Sequence, residues 1–219
     1  MDPKAFDKLM TERHSARYFQ KKPIPESILK EIMSTALKCP SWCNCQCWNA
    51  YIVSGDPLEK IREIWQQKFK DGVERYTDIP SMHRQDNAER NQKYMEQCMT
   101  DIAEYSKDPE MKFFKHCQAI MFNAPTVVYL TLTKKCVQFS FLDLGAFEMA
   151  ICLAAKSHGI DSIIANSTVL YPDVVRKYAK IPYDEFVVMG IALGYEDNNE
   201  LNNFRAKKMN LDEGCHFIS

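Results

Sequence analysis

An α+β layered domain with a central sheet is the fold class this sequence predicts, and three observations predict it. Segments with apolar residues at the helical period of 3.6 alternate with a few short runs rich in β-branched residues. The stretch from Leu142 to Ser157 is apolar nearly all round, as a fully packed central helix would be. The length of 219 residues, 46% of them hydrophobic, suffices for one well-filled core, so residues 1–219 are expected to form a single domain.

The elements follow in chain order. Asp2-Pro3 places proline at a first helical position, and Ala5, Phe6, Leu9 and Met10 share one face up to Thr11. Residues 12–23 form a polar loop. A second helix opens at Pro25-Glu26, carries Ile28, Leu29, Ile32, Met33, Ala36 and Leu37 at helical spacing, and is expected to end at Pro40. Trp48–Ser54 is a buried strand, and Asp56-Pro57 starts a helix running to Phe69. Residues 70–110 are polar and Met-rich and are expected to hold one or two exposed helices, a variable cover or lid. A helix over Met111–Phe122 leads to the β-branched strand Thr126–Thr133. Gly159 caps the long apolar helix. Ile160–Ala165 and Glu185–Leu193 are strands, separated by a helix beginning at Tyr171-Pro172. Residues 196–219 are polar and irregular, with Cys215, Phe217 and Ile218 at the tip suggesting contact with a partner subunit.

Composition narrows the function classes. A net charge of −1 favours neither nucleic acid nor an anionic membrane as a bulk partner. No segment approaches the ~18 uninterrupted apolar residues of a membrane span, and the N-terminus lacks the long apolar core of a signal peptide. A cytoplasmic chain is the expectation. Nine irregularly spaced cysteines are expected to be mostly reduced.

Two short runs carry the chemistry. Arg13-His14-Ser15-Ala16-Arg17-Tyr18-Phe19 places two arginines beside a hydroxyl in a loop. With only seven glycines and no Gly-rich phosphate loop, a bound phosphate would be held by side chains, and the guanidinium fork binds it with two parallel hydrogen bonds. Taken alone, Arg13 and Arg17 read equally well as surface charges and His14 as a packing residue. The second run, Cys39-Pro40-Ser41-Trp42-Cys43-Asn44-Cys45-Gln46-Cys47-Trp48, is a turn before a strand. Ser41 and Asn44 are ordinary turn residues there. The tryptophans Trp42 and Trp48 suit the core better than a cofactor platform, with Trp42 the nearer of the two to a site. The four thiols could ligate zinc or an iron–sulfur cluster. In an extended chain, however, Cys43 and Cys47 would point one way and Cys45 the other. With no Cys-x-x-Cys pair, free thiols and no metal site are the expectation.

The order of these signals resembles the FMN-dependent nitroreductase family. It comprises Arg-x-Ser-x-Arg-x-Phe, then Pro-Ser-x-x-Asn-x-Gln-x-Trp before a strand, Asp-x-Gly-Ala at a buried helix, Gly-Ile after it, and Leu-Gly-Tyr followed by Asn-x-Arg-x-x-Lys. The match spans the chain apart from residues 70–110. Cys47 stands where the family commonly has proline, Glu148-Met149 where it often has Gln-Asn or Glu-Asn, and Lys208 where arginine is frequent. The resemblance implies a mostly antiparallel sheet flanked by helices, and a homodimer with two FMN sites lined by both chains. By it, Arg13, His14, Ser15 and Arg17 meet the phosphate, ribityl chain and pyrimidine edge. Pro40, Ser41, Trp42, Asn44 and Gln46 reach the ring system from the other subunit. Ile164, Ala165 and Asn166 lie by the reactive face, and Arg205 and Lys208 close on the phosphate.

The activity implied is an NADH- or NADPH-dependent oxidoreductase in which hydride passes in a ping-pong cycle through flavin N5 to a small aromatic acceptor, a nitroaromatic compound or a quinone. The flavin carries that chemistry, so no catalytic side chain is assigned. Two alternatives remain: a reductive dehalogenase of the same superfamily, and a thiol-rich metal- or redox-sensing binding protein using Cys39–Cys47.

Overall fold

A four-stranded antiparallel sheet divides the chain into two helical layers. The structure is a computed structural model describing residues 2–80 and 83–218; Ser81 and Met82 of the expected cover, Met1 and the terminal Ser219 lie outside the described residues. The helices are α1 (Pro3–Glu12), α2 (Glu26–Ala36), α3 (Asp56–Lys70), α4 (Glu89–Tyr105), α5 (Lys112–Ala119), α6 (Gln138–Ser157), α7 (Pro172–Ala179) and the short α8 (Leu211–Gly214). The strands are β1 (Trp48–Ser54), β2 (Thr126–Thr133), β3 (Asp161–Ile164) and β4 (Glu185–Gly194), in spatial order β1-β2-β4-β3. Every paired ladder is antiparallel, in register Tyr51↔Tyr129, Val128↔Ile191 and Ile163↔Ala192.

Alternation along β2 builds both layers. Val127 and Tyr129 face one side, where Leu58, Ile61 and Trp65 of α3 and Val174 and Val175 of α7 close the core. Val128, Leu130 and Leu132 face the other, against Ile32 of α2 and Phe147, Ile151 and Ala155 of α6. Because both faces are covered, β2 reads as a continuous apolar run rather than an alternating one. Trp48 belongs to this core, stacked on Phe147 with ring centroids 4.7 Å apart, whereas Trp42 is 65% exposed.

Three expectations need correction. The helix begun at Glu26 ends at Ala36, before Pro40, because the chain already turns there through Cys39 N–H donating to the Ala36 carbonyl. The segment expected as one helix over Met111–Phe122 breaks after Ala119, where Met121, Phe122 and Asn123 take left-handed conformations. Helix α6, expected to be fully packed, is buried along one row only (Leu144, Phe147, Ile151, Cys152, Ala155). Its other row, led by Leu142 at 69% exposure with Gly145 and Ala146, is uncovered in the single chain. By length and composition helix α6 is apolar enough to cross a membrane, but Asp143 and Glu148 interrupt its apolar run. Its buried row packs on the sheet instead.

The tail docks first on its own chain. Leu201 and Phe204 pack with Ile102 of α4 and Tyr94 Oη donates to Glu213 at 2.9 Å, while residues 207–218 are exposed, most of all Phe217 and Ile218 at 85% and 95%.

Gly194, at the end of β4, packs closely against Phe19 of the loop after α1 and Pro125 just before β2. A Cβ there would lie 2.8 Å from Pro125 Cδ and 2.9 Å from Phe19 Cδ1. Gly194→Ala is therefore expected to destabilise the fold by about 1–3 kcal/mol, the usual cost of overpacking, read as a lower midpoint in denaturant unfolding.

Candidate functional site

The loop after α1 is fastened to the sheet as if it were a fifth strand. Ser15 forms a parallel bridge with Ser162 of β3, and Phe19 an antiparallel bridge with Glu196 just beyond β4. Ala16 N–H donates to the Ser162 carbonyl at 3.0 Å and Gln20 N–H to that of Tyr195 at 2.9 Å. The loop thus adjoins β3 at Ser162, two residues before the Ile164-Ala165-Asn166 segment. Ile164 is half-buried, Ala165 buried with its N–H donating to the Gly190 carbonyl, and Asn166 exposed at the head of a helical turn.

Asn202, which the sequence reading did not single out, fixes the arginines. It is 2% exposed and uses all its hydrogen-bonding capacity. Its Oδ1 accepts from the N–H of Arg17 at 2.7 Å and of Tyr18 at 3.1 Å. Its Nδ2 donates to the carbonyls of Tyr18 and Asp197, each at 2.8 Å. The tail is thereby locked to the Arg-x-Ser-x-Arg loop. An asparagine in a polar tail carries no periodic signal, so nothing in the sequence marked it.

The guanidiniums gather without carboxylate partners. Arg17 is buried; its Nη1 donates to the Ser15 carbonyl at 2.9 Å, its plane lies over Phe204 at 5.1 Å, and its Nε has no acceptor. Arg205 Nη1 donates to the Asn202 carbonyl at 2.6 Å. Desolvation, with the neighbouring Arg205 charge acting the same way, lowers the Arg17 pKa. Among the described residues no ion pair involves Arg13, Arg17 or Arg205. Like charges held side by side without anions form a site for an anion. Lys208 is exposed, and no hydrogen bond or ion pair ties it to this cluster.

His14 requires a correction. Both ring nitrogens are taken within the chain: Nδ1 lies 2.8 Å from the Glu12 carbonyl and Nε2 2.8 Å from Glu196 Oε2, with the residue 7% exposed. Its ring positions the loop and has no donor left for a ligand.

The second run forms a separate exposed turn at the start of α6. Pro40, Trp42, Asn44 and Gln46 are exposed and Ser41 half-buried. Ser41 Oγ accepts from the Gln46 N–H at 2.9 Å, and Asp143 accepts from the Trp42 N–H at 3.1 Å. Asp143 and Cys152, the latter close enough to feel the charge of Arg13, are nine residues apart on one helix, about 13 Å at 1.5 Å per residue. The two halves of the expected site therefore do not meet within one chain. The cavities of about 690 and 510 Å³ lie elsewhere, between α3 and α5 and between α2 and β1.

On an α+β sheet fold, the arginine-bearing edge and the polar turn before β1 lie apart. A profile of the nitroreductase family matches residues 10–195, and the chain belongs to that family. It is 27% identical to a chloronitrobenzene nitroreductase of Comamonas testosteroni, over 97% of this chain and 96% of that protein. It is 28% identical to a nitrobenzene nitroreductase of Ectopseudomonas oleovorans over the same shares. The crystal structure of NfnB from Mycobacterium smegmatis, an FMN-dependent nitroreductase in complex with NADPH, has the same fold. Its TM-score is 0.91 at 21% identity, covering 99% of both chains. The α+β class and the family resemblance are borne out.

Glu148, on α6 between the two halves, has its carboxyl pushed up to about 7 by burial. Its folded value lies above the ordinary 4.5, so the neutral form favours the fold. That contribution is complete below about pH 4.5 and is lost as pH rises through about 7. Glu148→Gln is expected to leave the melting temperature nearly unchanged at low pH and to raise it above neutrality, measured by thermal unfolding across pH.

Proposed function

We propose that this chain is an FMN-dependent oxidoreductase that works as a homodimer, takes electrons from NADH or NADPH, and reduces nitroaromatic compounds or quinones. The observation that carries the reading is the Arg17 guanidinium beside that of Arg205, neither with a carboxylate partner among the described residues, in a chain of the nitroreductase family whose Arg13 lies on the same loop as Arg17. The donor set fits FMN: a phosphate dianion needs two or more cations where no glycine loop offers backbone N–H groups. When bound, FMN supplies two-electron redox chemistry.

The chain's own residues would bind, orient and shield. Arg13 and Arg205 neutralise the phosphate, Ser15 offers a hydroxyl, and Arg17 keeps positive charge near the loop that Asn202 immobilises. Ile164, Ala165 and Asn166 border the same edge. Ser41, Trp42, Asn44 and Gln46 serve the site of the other subunit, which their separation along α6 from the arginines requires. The nicotinamide and the acceptor would occupy one crevice in turn, the ping-pong order. The similarity to chloronitrobenzene and nitrobenzene nitroreductases of Comamonas and Ectopseudomonas supports nitroaromatic acceptors.

The uncovered row of α6 supports the dimer. Phe139 and Leu142 with Phe6 and Met10 of α1 form an exposed apolar surface, and such a surface on one chain marks an interaction site.

Arg13→Ala with Arg205→Ala is expected to abolish FMN retention, since each charged hydrogen bond lost costs about 1.5–3 kcal/mol. Neither residue is fully buried, so the fold should survive. Absorbance and fluorescence of the purified protein report the flavin, and retention at parental affinity would sink the assignment. Leu142→Glu, which places a charge in the apolar row, is expected to yield monomers by sedimentation. The same variant should then lose flavin, because the second surface departs with the partner.

A further inference from the structure

The turn at Cys43–Cys47 does not follow the extended alternation that the sequence reading assumed. Cys43, Asn44 and Gln46 have positive φ of 48°, 57° and 46°. The left-handed residue between Cys45 and Cys47 brings both thiols to one side, together with the carboxylate of Asp143. One ligand atom from each lies within 4.8 Å of the others. The argument that set a metal site aside therefore fails for this pair.

We propose that Cys45, Cys47 and Asp143 form a binding site for a thiophilic divalent cation, zinc by chemical class, which ties the turn to the start of α6. The spacing suits it. A sulfur at ~2.3 Å and an oxygen at ~2.0 Å from zinc, at a tetrahedral angle, lie about 3.5 Å apart. Cys45 Sγ and Asp143 Oδ2 are separated by 3.5 Å. Cys47 Sγ is oriented by the Ser140 carbonyl at 3.7 Å, and the Trp42 N–H donates to both Asp143 oxygens, at 3.1 and 3.2 Å. Such outer contacts orient ligands for a metal. Two thiolates and a carboxylate leave a fourth tetrahedral position for water. On binding, each thiol releases its proton to solvent as its sulfur takes the cation.

The test uses the full chain, fully reduced and stripped of metal, then equilibrated with zinc and freed of unbound ion. One zinc per chain by atomic emission is expected. Cys45→Ser with Cys47→Ser should abolish its retention. Asp143→Asn, which still accepts from Trp42 and guards against misfolding as the explanation, should weaken zinc binding at least about tenfold, the lower end of what outer-shell partners alone cost. Cys215→Ser, at the distant tail, should retain zinc. Cobalt in place of zinc should give a thiolate charge-transfer band that the double variant lacks. No zinc on the reduced chain, equal zinc on the double variant, or a cobalt spectrum without that band would overturn the site. Flavin content measured on the same samples keeps this outcome separate from the flavin reading.

Discussion

The long helix α6 has more apolar surface than its own sheet can cover, and the rest of the molecule is arranged around that excess. One row, through Phe147, Ile151 and Ala155, seals the core against β2 and β4. Burying each such side chain contributes about 1.5–3 kcal/mol, so that row alone secures the helix. The opposite row serves no purpose inside one chain. It begins at the turn that carries Ser41, Trp42 and Asn44, and it passes Glu148 on the way to the arginine end. A second copy laid on this row would cover the apolar surface and bring one chain's turn to the other chain's cations. Association and site assembly would then be a single event.

At the cationic end the difficulty is repulsion. The desolvated Arg17 lies near the exposed Arg205, which costs free energy in the absence of an anion. The fold tolerates this because the loop is held by backbone bonds on both sides, and because Asn202 closes three hydrogen bonds to it from more than 180 residues away and a fourth to Asp197. The Phe204 ring beneath Arg17 offsets part of the charge's desolvation. Preorganised positive charge of this kind favours any ligand that carries a phosphate, since the ordering has already been done by folding.

Much of this was legible in the sequence. Strand β2 shows in its β-branched run, α7 in Tyr171-Pro172, and Gly159 in the left-handed cap it forms at φ +71°. The arginine loop was found through the order of motifs around it, since its arginines taken alone read as surface charges. What stayed hidden depends on distant pairing: Asn202 reaching back to Arg17, Glu196 occupying the His14 ring, Asp143 meeting the Cys45 thiol. None leaves a periodic trace, because each partner is a single polar residue in an irregular segment. The exposure of one face of α6 was hidden for a different reason. A helix apolar all round reads as buried whether its cover comes from its own chain or from another.

The turn before β1 is where local and global demands conflict most. Three non-glycine residues in left-handed conformations are unfavourable by about 1–2 kcal/mol each, and Cys47 occupies the place where the family commonly has proline to stiffen the bend. Bonds within the turn oppose this, the Asn44 and Cys45 N–H groups donating to the Ser41 and Trp42 carbonyls and the Gln46 N–H to Ser41 Oγ. Asp143 on α6 accepts from the Trp42 N–H and the Cys45 thiol. A cation shared by Cys45, Cys47 and Asp143 would cross-link the bend to α6 at the point proline would otherwise stiffen. Rigidity lost by one substitution would be restored by coordination, and the aromatic and amide side chains of the turn would be presented in one fixed attitude.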